Sequence, residues 1–267
     1  MIVFPNAKIN IGLNITAKRP DGYHNLETVF YPVKINDALE AIAAPQLSFT
    51  SSGINIPGEP EKNLCIKAYE LIKNDYDLAP LKIHLHKHIP IGAGLGGGSA
   101  DAAFFIKLIN EQFSLGLSVE AMQNYARQLG ADCAFFIENK PVYAFDKGDQ
   151  FLPVELDLSN YVIVLVMPPV HVSTAEAYAG VKPEPAEHDL QALIKLPVAD
   201  WKDAIKNDFE ISVFEKYPQI AAVKKALYDA GALYASMSGS GASVFGIFGT
   251  PPLLTHLEKD NQVFYNV

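Results

Sequence analysis

The chain is organised around Ile89-Pro90-Ile91-Gly92-Ala93-Gly94-Leu95-Gly96-Gly97-Gly98-Ser99-Ala100-Asp101-Ala102-Ala103. Five glycines fall within seven positions, and the composition then turns apolar through Phe104, Phe105 and Ile106. Glycine weakens regular elements, so a run this dense is tolerated where backbone must approach something closely or adopt positive φ. Placed directly before a helical stretch, it lets several backbone N–H groups converge on an anion at the positive end of the helix. A flexible linker is the plainer alternative. Linkers are not usually preceded by a strand such as Leu81-Lys82-Ile83-His84-Leu85, nor followed at once by an apolar helix. The stretch reads as a phosphate cradle, with Gly94 and Gly97 expected to let backbone amides reach the phosphates.

Several cradles can be set aside. Gly92, Gly94 and Gly97 spell G-x-G-x-x-G, but a dinucleotide fold would start near the beginning of the chain and alternate strand and helix. Here the loop arrives late, and two helical patterns follow it. Gly92 to Gly97 also fits G-x-x-x-x-G, yet Gly98 stands where a P-loop needs lysine. No H-R-D or D-F-G of a protein kinase occurs. The cation that faces the phosphates must come from elsewhere in the chain.

Pro90-x-Gly92-x-Gly94-Leu95-Gly96-x-x-Ser99-Ala100 resembles the second motif of the galactokinase, homoserine kinase, mevalonate kinase and phosphomevalonate kinase superfamily. That resemblance makes Pro90, Ile91, Gly92, Ala93, Gly94, Leu95, Gly96, Gly97, Gly98, Ser99 and Ala100 the ATP-binding run. With 267 residues and 49% apolar side chains the chain can bury a real core. A net charge of −9, spread without acidic blocks, argues against a general nucleic-acid binder. Cys65 and Cys133 give neither a disulfide framework nor zinc spacing, so a reducing cytoplasm is expected. The start of the chain has no signal-peptide pattern, and no stretch nears the ~18 apolar residues of a membrane span.

Residues 7 to 16 alternate strictly, so Ile9, Ile11, Leu13 and Ile15 face a core and Lys8, Asn10, Gly12 and Asn14 the other side. Such a pattern suits a half-buried edge strand whose polar face lines a cleft. Pro5-x-Ala7-Lys8-x-Asn10 resembles the superfamily's first motif, in which the lysine and asparagine line the acceptor site. Arg19-Pro20-Asp21-Gly22 is a strong turn signal, which presents Tyr23 and His24 at the shoulder of a hairpin. This run, with Phe30 beyond it, resembles one branch of the superfamily, whose acceptor carries a cytosine held by these residues.

Asn63 can cap a helix carrying Leu64, Ala68, Leu71 and Ile72, and by resemblance it borders the adenine pocket. His84, His86 and His88 fall on one strand face. A metal reading is possible for that spacing, but surface or packing histidines fit better. Lys87 between them matches a lysine that contacts substrate or nucleotide in the resembling branch. After the loop a helix starts near Ser99 and Asp101 and runs to about Phe113, and a second is capped by Ser118 and ended by Gly130.

Asp132 follows, set between a small residue and an apolar run. A buried aspartate is costly unless paired or functional, and the plain alternative is an N-cap for the segment from Cys133. By resemblance, Gly130-Ala131-Asp132 places a carboxylate on the acceptor hydroxyl beside Lys8. The branch usually continues Val-Pro where this chain has Cys133-Ala134. Thr174 and Tyr178 match a hydroxyl and an aromatic ring that close the acceptor site, and Ser236 to Phe245 resembles the third motif, a turn beneath the phosphate loop.

The resemblance implies an α+β fold: a ribosomal-S5-like domain (residues 1–153) and a ferredoxin-like domain (residues 154–267), with ATP and acceptor in the cleft. It implies transfer of the γ-phosphate of ATP, with Mg²⁺, to a hydroxyl of a cytidine-diphosphate-linked polyol in the non-mevalonate route to isoprenoid precursors. Lys8 and Asp132 would be catalytic, and Asn10, Tyr23, His24, Phe30, Lys87, Thr174 and Tyr178 would bind the acceptor. The metal ligands and the oligomeric state stay open. Two alternatives stand beside this reading: another small-molecule kinase of the superfamily, of homoserine or mevalonate type, and a non-catalytic nucleotide-binding module.

Overall fold

The computed structural model describes residues 1–267. In chain order the elements are β1 (Ile2–Val3), β2 (Asn6–Lys18), β3 (His24–Asn36), β4 (Ala38–Ala43), β5 (Ser48–Gly53) and α1 (Leu64–Lys73). Then come β6 (Leu81–Lys87), α2 (Gly97–Gln112), α3 (Val119–Leu129), α4 (Phe135–Glu138), β7 (Val142–Phe145) and β8 (Gln150–Pro153). The chain continues through β9 (Val162–Met167), α5 (Thr174–Gly180), α6 (Leu190–Leu193), α7 (Phe209–Lys216) and α8 (Pro218–Asp229). It ends with β10 (Tyr234–Met237), β11 (Val244–Phe248) and β12 (Gln262–Tyr265). The α+β class expected from the sequence is what is observed.

Two compact units form. The first is Met1–Lys8, Lys34–Ile91 and Gly96–Lys140, and the second is Ile9–Val33, Gly92–Leu95 and Pro141–Val267. The sequence reading cuts the chain once, after residue 153. Compactness divides it differently, because β2 and β3, each 13 residues long, run from one unit into the other.

In the first unit the sheet order is β1-β4-β6-β5, with β4 antiparallel and β5 parallel to β6. Strand β6 alternates as its sequence predicts: Leu81, Ile83 and Leu85 are fully buried, while Lys82 and His86 are exposed. The histidine rings meet hydroxyls of the neighbouring strand. His84 lies 2.9 Å from Thr50 Oγ1 and 3.0 Å from Ser52 Oγ, and His86 lies 2.9 Å from Ser52 Oγ. Helices α1, α2 and α3 pack on one another, and α2 also packs on β1 and β4. Helix α2 starts at Gly97, two residues before the serine expected to open it, because Gly96 in the left-handed region (φ 69°) turns the chain into the helix.

In the second unit β2-β3-β7-β8 form one sheet and β10-β11-β9-β12 another, the latter wholly antiparallel. Helix α8 lies on β10 and β11, and α7 packs on α8. The core draws on Leu13, Ile15, Val164, Val166, Phe209, Ile220, Leu227 and Val244. Strand β2 departs from the half-buried pattern, since both its faces are buried as far as Leu13. It is an edge strand in sheet order, but its backbone is covered. The Leu13 N–H donates to Lys206 O at 2.9 Å and Leu13 O accepts from the Asp208 N–H at 2.9 Å. Capping an open edge in this way satisfies polar groups that would otherwise need water.

Candidate active site

In the first unit, Lys8 Nζ stands 3.3 Å from Asp132 Oδ2, with the lysine side chain 4% and the carboxylate 34% exposed. Local sequence explains the placement. Gly130 closes α3 by donating its N–H to Ala126 O, and a tight 3₁₀ turn over Ala131–Ala134 follows. Cys133, Ala134 and Phe135 are buried and pull that turn inward, which leaves the Asp132 carboxylate at its rim. Asp132 makes no side-chain cap, so the N-cap alternative falls, and with a third of its surface open it is not the buried aspartate expected. Burial pushes the Cys133 thiol up to about 12, so it stays protonated where the branch usually has valine. A Cβ on Gly96 would lie 3.0 Å from the Phe136 ring and 3.2 Å from Lys8 Cε, so the backbone of Gly96 packs closely on this lysine.

Lys87 does not present an open ammonium. It is 4% exposed and is held between Asp37 Oδ2 at 2.5 Å and Asp101 Oδ2 at 2.7 Å. Asp37 Oδ1 also accepts the N–H groups of His88 (2.6 Å) and Ile89 (2.8 Å), where the strand runs into the glycine loop. A direct substrate contact by Lys87 would have to open a buried ion triad. Burial pushes the Asp101 carboxyl up to about 7 against the pull of Lys87, and its Oδ1 has no hydrogen-bond partner. Asn63 caps α1, its Oδ1 accepting from the Cys65 N–H at 2.9 Å.

In the second unit, the loop residues Gly92–Leu95 rest on the turn between β10 and β11. Ser238 Oγ donates to Gly94 O at 2.9 Å, and the Ser243 N–H to Ala93 O at 3.3 Å. The third motif thus supports the loop, as the sequence suggested. A Cβ on Gly94 would fall 1.9 Å from Ser238 O, and one on Gly97 2.9 Å from Ile89 Cγ2. Protein neighbours therefore require both glycines, beside any approach to phosphate. Gly98 is the open position: it is exposed, and its Cβ would meet only Leu64 at 3.9 Å. Pro90, Ala93, Leu95 and Ala100 are buried and anchor the run, while Gly92 is exposed and Ile91 and Ser99 are half-buried.

Asn10, 3% exposed, donates through Nδ2 to Thr28 Oγ1 at 3.0 Å, and its N–H reaches Ser238 Oγ at 3.3 Å. The Arg19 to Gly22 turn forms as expected, with the Arg19 N–H bonded to Tyr23 O at 2.8 Å and Gly22 at φ 86°. Tyr23 is 63% exposed, with Lys147 Nζ 5.4 Å from its ring centre. His24 stacks on Tyr178 at 4.8 Å between centroids, and Tyr178 meets Phe209 edge-on at 4.9 Å. Burial, then Lys18, holds the His24 imidazole below its usual range. Phe30 is 2% exposed and edge-on to Phe151, so it supports the hairpin and offers no exposed stacking face. Thr174 is exposed, its hydroxyl 3.4 Å from Ser240 Oγ in the third motif.

The sequence reading overlooked Asp37 and the segment around Asn207. Asp37 carried a signal, a lone acid between two strand-like runs, and its 1% exposure gives that signal meaning.

Comparison with known proteins gives this arrangement its context. Residues 63–140 match the GHMP kinases N terminal domain and residues 188–263 the GHMP kinases C terminal model. The 4-diphosphocytidyl-2-C-methyl-D-erythritol kinase of Bacteroides fragilis is 55% identical over 262 residues, 97% of this chain and 96% of that protein. The enzyme of that name from Cytophaga hutchinsonii is also 55% identical, over 98% of this chain and 97% of its own length. The chain belongs to the 4-diphosphocytidyl-2-C-methyl-D-erythritol kinase family. It is an ATP-dependent small-molecule kinase. A crystal structure of 4-(cytidine 5'-diphospho)-2C-methyl-D-erythritol kinase superposes with a TM-score of 0.82 at 26% identity, covering 99% of this chain and 98% of the other. The mevalonate kinase of Methanococcus jannaschii, at TM-score 0.69 and 14% identity over 99% and 97% of the two chains, shares the fold.

No group of three or more His, Cys, Asp or Glu stands together that could hold a metal by itself. Mg²⁺ needs only one or two protein carboxylates when phosphates and waters complete its shell.

Proposed function

We propose that the protein transfers the γ-phosphate of ATP to the 2-hydroxyl of 4-diphosphocytidyl-2-C-methyl-D-erythritol, giving the 2-phosphate and ADP, with Asp132 and Lys8 at the reacting atoms. The observation that carries the assignment is the pairing of a 4%-exposed lysine with a carboxylate that keeps 34% of its surface open. Phosphoryl transfer asks the protein mainly for alignment and for neutralisation of charge. Asp132 accepts or orients the proton of the acceptor hydroxyl. Lys8 offsets charge near the transferred group, and the amides of the glycine loop meet the phosphates.

Mg²⁺ bound with ATP would neutralise charge on the β- and γ-phosphates. Asn63 is assigned to the edge of the adenine pocket, Tyr23, His24 and Tyr178 to the cytosine, and Asn10 and Thr174 to the polar part of the acceptor. Residues 1–153 are proposed to carry the nucleotide loop, and residues 154–267 to contribute Thr174, Tyr178 and the third motif. The cytoplasm is the proposed location, and no helix is long and apolar enough to cross a membrane.

Asp132→Asn keeps the shape and removes the base, so kcat should fall roughly 10²–10⁴-fold with KM for ATP little changed. Lys8→Met should act on the same step, and the double variant should lose far less than the product of the two losses. An Asp132→Asn enzyme within about 3-fold of wild type would remove the carboxylate from the chemistry.

A further inference from the structure

The segment Lys206–Glu210, just ahead of and into α7, belongs to none of the glycine motifs, yet it is fastened to elements that carry the site. Asn207 is 2% exposed. Its amide nitrogen donates to Met237 O at 2.8 Å and to Gly239 O at 2.9 Å, while its Oδ1 accepts the Phe209 N–H at 3.0 Å. Every donor of that amide is therefore spent on the turn between β10 and β11. Glu210, 9% exposed, grips the same turn from its other side. Its Oε1 accepts the Met237 N–H at 2.8 Å and Ser236 Oγ at 3.2 Å, and its Oε2 meets Lys224 Nζ at 2.5 Å.

Ser238 lies between the two gripped carbonyls. It is fully buried, donates Oγ to Gly94 O at 2.9 Å and accepts the Asn10 N–H at 3.3 Å. Within the turn the Ser238 N–H donates to Ser243 O at 2.8 Å and the Gly241 N–H to Ser238 O at 3.0 Å, while Gly239 (φ 55°) and Gly241 (φ 89°) bring no side chains to brace it from outside. A Cβ on Gly239 would lie 3.3 Å from Gly94 Cα, so the two backbones are packed against each other and a shift in one displaces the other. The segment also latches β2, where Asp208 Oδ2 accepts the Ile15 N–H at 2.7 Å.

We infer that Asn207 is a positioning residue for the phosphoryl transfer: by holding the Met237 and Gly239 carbonyls it fixes Ser238, and through Ser238 the Gly94 carbonyl of the glycine loop and the backbone of Asn10. This deepens the kinase reading and rests on it. The residue touches no reacting group, so its loss acts through misplacement of the loop, for which a small displacement can cost about 10²-fold in rate.

Asn207→Asp is the probe. It preserves shape and the acceptor for Phe209, and it turns the donor that faces two carbonyls into a repelling oxygen. Assayed by ADP release well below its melting temperature, the variant should lose about 10- to 100-fold in kcat with KM for the cytidyl acceptor within about 2-fold of wild type. A role in stability alone would leave kcat per folded molecule unchanged. In a Ser238→Ala background the same substitution should cost less than about 3-fold, because the path it acts through is already cut. Should Asn207→Asp fail to fold, Asn207→Ser takes its place in the same cycle. An active wild type with unchanged kcat in the folded variant, or losses that multiply in full in the double variant, would overturn the inference alone. A wild type that releases no ADP from the cytidyl acceptor removes the kinase reading and the inference together.

Discussion

Tyr23 and His24 are neighbours in sequence but differ in surroundings, and the difference assigns them separate work. Tyr23 is 63% exposed and offers a flat platform, for which stacking is worth about 1–3 kcal/mol per base. Tyr23→Ala should raise KM for the cytidyl acceptor roughly 5- to 150-fold and leave KM for ATP alone, measured by varying each substrate in turn. His24 is stacked and partly desolvated, and its lowered pKa keeps it neutral near pH 7. Between that lowered value and the ordinary 6.5 the unfolded chain binds the extra proton. The stability supplied by the neutral ring is thus full above about pH 6.5 and is lost as pH falls through the folded value. Acceptor kcat/KM should be flat above the lowered folded value and decline below it, and His24→Asn should abolish the decline. An unchanged acid limb in His24→Asn would place the titration elsewhere.

The loop glycines also divide at this scale. Gly98→Ala has room for its Cβ and removes a helix-weakening residue, so the apo protein should hold or gain up to about 1 kcal/mol. ATP affinity should nonetheless fall, because the methyl group stands on the open side of the loop. Gly94→Ala should instead lower the melting temperature sharply, since its Cβ would sit 1.9 Å from Ser238 O at φ 77°. Isothermal titration with ATP and thermal melting of both variants check the pair, and equal ATP affinity in Gly98→Ala would deny the loop its phosphate role.

At the scale of elements, strand β6, the residues His88 and Ile89 that follow it, and helix α2 are joined by the Lys87–Asp37–Asp101 triad. Asp37 accepts two backbone N–H groups besides the ammonium, so Asp37→Asn breaks a buried network and should cost about 3–5 kcal/mol. Asp101 is different. Its folded pKa of about 7 lies above the ordinary 3.8, so its contribution is full below the unfolded value and lost as pH rises through about 7. The groups that bear on it are Lys87, Asp37 and the buried Cys65 thiol. Asp101→Asn should cost less than Asp37→Asn and should flatten the fall in melting temperature between about pH 5 and pH 8. Identical slopes in wild type and Asp101→Asn would contradict the burial argument.

What was legible at this scale followed local rules. The hairpin turn at Arg19–Gly22, the Ser118-capped helix and the alternation of β6 all depend on residues within a few positions of one another. The ion pairs of Lys87 were not legible because its charge partners arrive from β3–β4 and from α2, which no spacing on β6 reveals. The need for glycine at position 94 was seen, but not its contact with Ser238, which lies 144 residues away. Asn207 reads locally as a helix-start residue, and its amide proves to serve a turn 30 residues further on.

For the whole molecule, the fold and family were readable because three glycine-rich or charged motifs occur in a fixed order along the chain. The proposed choice of acceptor rests on one hairpin shoulder, Tyr23 and His24, and on the ring of Tyr178 stacked on His24. The most direct measurement is the initial rate of ADP release from ATP with 4-diphosphocytidyl-2-C-methyl-D-erythritol, mevalonate or homoserine as acceptor, each with and without CDP. The account predicts turnover with the cytidyl acceptor alone, inhibited by CDP in competition with the acceptor, and far less by UDP because the uracil edge mismatches the contacts made to cytosine. Efficient phosphorylation of mevalonate or homoserine, with no effect of CDP, would contradict it.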